Sequence, residues 1–180
     1  MTSTLHLLTA PRGAGKTTFC RALADRARTA GWDVAGLLSP AVFEDGAKTG
    51  ILAQDLRTSE TRLLAVANQQ FNPVQGKSSS FPTLDLPLGD WLFDSSVIAW
   101  GNQILETCLP CDLLIVDEIG PLELNRGAGW VNALETLRQP GYRVGVVVIR
   151  SECIDDFSKL GISFRVKGLS GSQAILGELH

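Results

Sequence analysis

"TAPRGAGKTT", residues 9–18, is the stretch whose neighbours decide the fold. It nearly completes the pattern G-x-x-x-x-G-K-[ST], with Ala10 where the first glycine belongs. Before it runs "LHLLT" (5–9), apolar and of strand length. After it, "KTTFCRALADRARTA" (16–30) spaces Phe19, Leu23 and Ala27 as one helix face, leaves Arg21, Asp25 and Arg28 for water, and stops at Gly31. A strand, a glycine-rich turn and a helix in that order make a cradle for phosphate, because the unpaired N–H groups of the loop and first helical turn converge on an anion. The residues expected to hold it are Pro11, Arg12, Gly13, Ala14, Gly15, Lys16, Thr17 and Thr18. Gly13 and Gly15 let the loop curl, Lys16 would reach β- and γ-phosphates, and Thr17 would give its hydroxyl oxygen to Mg²⁺. A methyl group at Ala10 is tolerable if its φ is negative.

Further along, "DVAGLLS" (33–39), "CDLLIVDE" (111–118) and "YRVGVVVIR" (142–150) read as buried strands. Residues 49–57 and 61–66 read as a strand pair turned through "RTSE". Helices are expected over 94–107 and in "AGWVNALETLRQ" (128–139), then a short helix near 152–160, a strand near 162–167 and a final small helix. Residues 68–90, rich in Pro, Gly, Ser and Asn, read as one long loop. Strands alternating with helices predict an α/β fold, a mostly parallel sheet flanked by helices with an antiparallel edge. The length of 180 residues predicts a single domain over 1–180.

Composition narrows the partners. Hydrophobic residues make up 44% and charged residues 19%, with a net charge of −3, so no global field favours nucleic acid or an anionic membrane. The apolar runs are strand-sized, and "MTSTLHLLTAPRG" lacks the cationic start of a signal peptide, which predicts a cytoplasmic protein. "CLPC" (108–111) has redox or zinc spacing, but it follows a helix and precedes a strand, opposite to the polarity that activates a thiol. "LSGSQ" (169–173) is similar to a transporter-ATPase signature, yet it lies after the acidic strand rather than before it, and reads as a Ser-Gly helix cap. Any of Trp32, Trp91, Trp100 and Trp130 would serve as core, groove or base-stacking residue.

The second chemical cluster is "LLIVDE". An apolar strand delivers Asp117 to the carboxyl edge of the sheet, where open α/β sheets bind ligands. Asp117 fits the acid that holds a magnesium water, and Glu118 an acid that polarises an attacking water. Arg150, at the end of another strand, would stabilise charge on a γ-phosphate, with Arg12 in the loop as its rival.

With these residues in place the chain resembles the small P-loop nucleoside-triphosphatases first described from thermophiles, which have a human cancer-related relative. The match runs through "GAGKTT" (13–18), "GLLSP" (36–40), "KTGILAQDLRTSETRLLA" (48–65), "WLFD" (91–94) opening a helix and, most specifically, "DLLIVDEIGPLEL" (112–124). The resemblance implies a RecA-like core and magnesium-dependent, slow hydrolysis of several nucleoside triphosphates, with Lys16, Thr17, Asp117 and Glu118 on the family's motif positions. Ala10, Ile149 in place of a usual histidine before Arg150, the long 68–90 loop and the region after Arg150 depart from it. Two other functions share the core: a small nucleotide or nucleoside kinase, and a nucleotide-dependent switch whose protein partner would sit on the 68–90 loop or the C-terminal region. Lys77 is the one basic residue of that loop, which argues against an arginine-bearing kinase lid.

Overall fold

The computed structural model describes residues 3–68 and 84–178. Strands β1 (Thr4–Thr9), β2 (Val34–Leu38), β8 (Cys111–Ile119), β9 (Tyr142–Ile149) and β10 (Arg165–Gly168) pair in parallel in the order β10-β1-β9-β8-β2. The sheet then continues antiparallel through β4 (Ala47–Asp55), β5 (Thr61–Ala67), β7 (Trp91–Asp94) and β6 (Leu84–Leu88), while β3 (Ala41–Glu44) pairs with β4. The expected antiparallel edge is therefore present and wider than one strand pair. Residues 69–83 of the expected loop lie outside the described residues, and its last part, 84–88, forms β6 instead of loop.

Side-chain alternation sorts the core into two layers. Leu8, Val34, Leu38, Leu113, Ile115, Val144, Val146 and Val148 point to one face, where α1 (Lys16–Thr29) lays down Cys20, Leu23, Ala24 and Ala27 and α6 (Gln173–Gly177) adds Ile175. Leu7, Leu37, Leu114, Val116 and Val147 point to the other face. There they meet α2 (Ser95–Thr107), α4 (Val131–Arg138) and α5 (Ile154–Ser158) through Leu105, Leu137 and Phe157. Each fully buried leucine or phenylalanine stabilises the fold by about 1.5–3 kcal/mol relative to exposure.

Caps explain where the helices start. The buried Asp94 carboxylate accepts from Ser96 N at 2.8 Å and Val97 N at 3.2 Å, so "WLFD" is a strand whose last residue caps α2. "AGWVNALETLRQ" yields a shorter helix than expected, α4, and an additional one, α3 (Pro121–Arg126), precedes it with proline at its first position. Ser172 does not cap α6 with its side chain, as the reading of "LSGSQ" expected; its hydroxyl donates back to the Leu169 carbonyl at 2.6 Å. The cysteines are all buried and unpaired, and burial pushes Cys108 up to about 11 and Cys111 up to about 12, as expected of inert thiols.

Gly36 fixes the approach of β2 to β8. Its φ is 106°, and a Cβ there would lie 1.9 Å from the Ile115 carbonyl oxygen. Gly36→Ala is expected to cost on the order of 3 kcal/mol or more, read as a lower urea midpoint at unchanged m-value. An unmoved midpoint would show that the two backbones can part cheaply.

Candidate functional site

The phosphate loop leaves β1 at Thr9 and enters α1 at Lys16. Gly13 and Gly15 hold φ of 78° and 94°, left-handed values that a side chain would strain, while nothing crowds their missing Cβ atoms. The described non-glycine residues with positive φ are Asp45 and Ser59, so Ala10 keeps an ordinary backbone. What this position supplies is its carbonyl. Lys16 Nζ donates to Ala10 O at 2.7 Å and to Pro11 O at 3.0 Å, closing the loop on itself.

Asp117 arrives by parity. Leu113, Ile115 and Asp117 share the face of β8 that meets α1, so the carboxylate reaches the start of that helix, beside Thr17, whose hydroxyl pulls its pKa down. Ser39 N donates to its Oδ2 at 3.2 Å and Ser39 Oγ to its backbone oxygen. Burial raises the Asp117 carboxyl to about 6, against the pull of Thr17, Ser39 and the Lys16 charge. A buried acid beside a hydroxyl at the mouth of a phosphate loop suits Mg²⁺, which takes few protein ligands and completes its shell with water and phosphate oxygens. No cluster of three or more His, Cys, Asp or Glu side chains stands ready for a metal among the described residues.

Glu118 departs from that alternation. The pairing of β8 with β9 slips between Asp117, opposite Val148, and Ile119, opposite Ile149, so Glu118 bulges out of the ladder. The slip shows in the core as well, since Ile119 packs on the same face as Leu114 and Val116. At the bulge, Arg150 Nε donates to Glu118 Oε1 at 2.8 Å, and this partner raises the guanidinium pKa. Lys16, Thr17, Asp117, Glu118 and Arg150 thus share one edge, and Arg12, exposed on the loop, lines a cavity beside it.

Two functional neighbours escaped the sequence reading. Glu123, buried in α3, accepts from Gly120 N at 2.9 Å with one oxygen and from Trp130 N at 3.0 Å with the other, tying down the turn that follows Glu118. The glutamate three residues after an N-cap was its signal. Lys48 is the other. It rides on the β3–β4 hairpin, whose Asp45-Gly46 turn (φ 50° and 78°) is a strong hairpin sign in the sequence. It lines a cavity of about 260 Å³ with Arg12, Ala67, Asn68, Asp90 and Trp91. Of the tryptophans, Trp91 alone lines this cavity, while Trp130 is core and Trp32 and Trp100 pack beneath Arg143 and Arg62.

Comparison with known proteins fixes the family. A sequence model described as NTPase matches residues 6–167. The chain belongs to this NTPase family. Nucleoside-triphosphatase THEP1 of Caldivirga maquilingensis is 23% identical over 168 residues, which is 93% of this chain and 88% of the relative. THEP1 of Ignicoccus hospitalis is 30% identical over 117 residues, 65% of this chain and 59% of its own length. The fold matches the solution structure of a human cancer-related nucleoside triphosphatase with a TM-score of 0.65 at 19% identity, covering 99% of this chain and 95% of that one. THEP1 from Aquifex aeolicus matches with a TM-score of 0.63 at 15% identity, over 99% and 97%. The NTPase chain thus shares the P-loop α/β architecture of both.

Glu123→Ala removes both acceptors from buried backbone donors. It is expected to lower stability by about 2–3 kcal/mol and to reduce phosphate release from ATP, read by urea unfolding and turnover of the same preparation. Turnover that survives intact would free Glu118 from dependence on this anchor.

Proposed function

We propose that the chain is a magnesium-dependent nucleoside-triphosphatase that converts nucleoside triphosphate to diphosphate and inorganic phosphate. The observation that carries it is Glu118, set by a bulge between the buried Asp117 and Arg150 at the mouth of the phosphate loop. The loop N–H groups and Lys16 hold the β- and γ-phosphates, and Thr17 and Asp117 hold the Mg²⁺, which neutralises phosphate charge when bound. Arg150 is the gate on Glu118. A γ-phosphate competes for the guanidinium, and once Arg150 turns to it the Glu118 carboxylate accepts a hydrogen bond from water. That water's oxygen attacks γ-phosphorus in line, the bond to the β-bridging oxygen breaks, and the proton passes toward Glu118 or the phosphate product. Arg12, on the loop and lining the cavity beside Lys48, adds a further positive charge.

Loose base choice follows from the same reading, since each residue named acts on phosphate. The relatives named nucleoside-triphosphatases support the substrate class. A cytoplasmic place agrees with the lack, among the described residues, of a helix long and apolar enough to cross a membrane.

Phosphate release from ATP, GTP, CTP and UTP, with Lys16→Ala as the blank, tests the activity. Glu118→Gln should bind nucleotide within about threefold of the parent yet lose about 10²-fold or more in turnover. Full turnover in that variant would remove Glu118 from the chemistry.

A further inference from the structure

The antiparallel half of the sheet reaches over the site. β2 ends at Leu38, which pairs with Gln54, whereas β4 starts at Ala47, so the first half of β4 runs past the carboxyl ends of the parallel strands. The strand order β1-β9-β8-β2-β4 sets that overhang on the far side of Asp117 and Glu118 from the phosphate loop. Lys48, half-buried near the start of β4, is the cation it carries. Its ammonium rests 4.9 Å from the centre of the Trp91 ring, not on a carboxylate among the described residues. Arg12 stands on the same cavity wall. Burial and the Arg12 charge lower the Lys48 pKa, while Glu118 and Asp117 raise it. Lys48 therefore lies within the electrostatic reach of both acids at the end of β8.

We propose that Lys48 contacts the terminal phosphate of the nucleotide from the β4 side and, with Arg12, makes the site select triphosphate over diphosphate. This rests on the nucleoside-triphosphatase reading. Phosphates anchored at the loop after β1 extend toward β8, so the γ-phosphate is the one nearest the overhang. A diphosphate ends short of it. Two like charges on one cavity wall repel, and the extra charge of the third phosphate relieves them both. In the transition state, where charge spreads over the equatorial oxygens, Lys48 completes a ring of cations with Lys16 and Arg150.

Binding and turnover separate this role from simple packing on Trp91. With Mg²⁺, affinities for ADP and for a non-hydrolysable ATP analogue are measured on the full chain, its Lys48→Ala variant and its Lys48→Arg variant. Lys48→Ala should lose about tenfold in analogue affinity, keep its ADP affinity and lose about 10²-fold in turnover, and Lys48→Arg should regain part of each. Equal weakening of both ligands, or an unchanged ratio, would overturn the proposal and leave Lys48 as packing. The unaltered chain gives a second reading that needs no stable lysine variant. The analogue should shift tryptophan emission as Lys48 leaves the Trp91 ring, ADP should not, and Trp91→Phe should abolish the shift; the same response to both ligands overturns the proposal. If the unaltered chain releases no phosphate from any triphosphate, the enzymatic reading fails by itself, and the affinity ratio still decides Lys48.

Discussion

The parallel pairing of β1, β9 and β8 is the constraint on which the site depends. Val148 of β9 pairs with Leu8 on one side and with Asp117 on the other, so a single residue sets the height at which both neighbours end. One residue beyond Leu8 the chain enters the phosphate loop, and two beyond Val148 stands Arg150. A register slip of two residues would move a strand end by about 7 Å and separate acid, arginine and loop beyond hydrogen-bond reach. Apolar faces, interrupted in β1 by the buried His6, oppose that slip, because both sides of these strands are packed under helices. Core packing and site geometry are in this sense one problem.

Regular strands alone would not finish the site. Strict alternation would send Asp117 toward α1 and Glu118 toward the opposite layer, so two adjacent acids could not serve one phosphate. The bulge breaks the alternation at the needed residue, and the core registers the break when Ile119 joins Leu114 and Val116. A bulge at the end of a strand needs an anchor after it. Gly120 N and Trp130 N, both donating to Glu123, provide one, and Gly129 leaves room for the carboxylate, since a Cβ there would stand 2.0 Å from Glu123 Oε1. The run "EIGPLE", the most specific part of the family match, thus has a mechanical meaning: it turns the chain sharply while holding Glu118 in place.

The parallel half of the fold was legible because its signals are local. Apolar strands, the four-residue spacing in α1 and the glycines of the loop each announce themselves within a dozen residues. Lys16, Thr17 and Asp117 could be named as candidates for the same reason, since a short pattern and a strand end mark their positions. Arg150 was placed correctly at the shared edge, but its contact with Glu118 depends on a bulge that no periodicity reveals. Lys48 was hidden differently: the strand was read from residue 49, one residue past Lys48, and its overhang was not read. That overhang is the first half of β4, paired with β3, which the Asp45-Gly46 turn marks and which a search for long apolar strands passes over, since Ala41, Phe43 and Glu44 are exposed. β6 was obscured by the composition of the segment before it, which reads as loop throughout.

Ala10 shows how far a motif letter can differ from the physics beneath it. The first position of the phosphate-loop pattern is commonly glycine, yet here its φ is ordinary and its contribution is a carbonyl that accepts from Lys16. Any residue provides that carbonyl. The left-handed turns, which do need glycine, are confined to Gly13 and Gly15. Lys16 braces the loop through the Ala10 and Pro11 carbonyls. Arg12, Lys16, Lys48 and Arg150 gather at this edge against Asp117 and Glu118, although the whole chain carries a net charge of −3. Positive charge is thus concentrated where backbone N–H groups already converge, and the acids Asp117 and Glu118 face it from the end of β8.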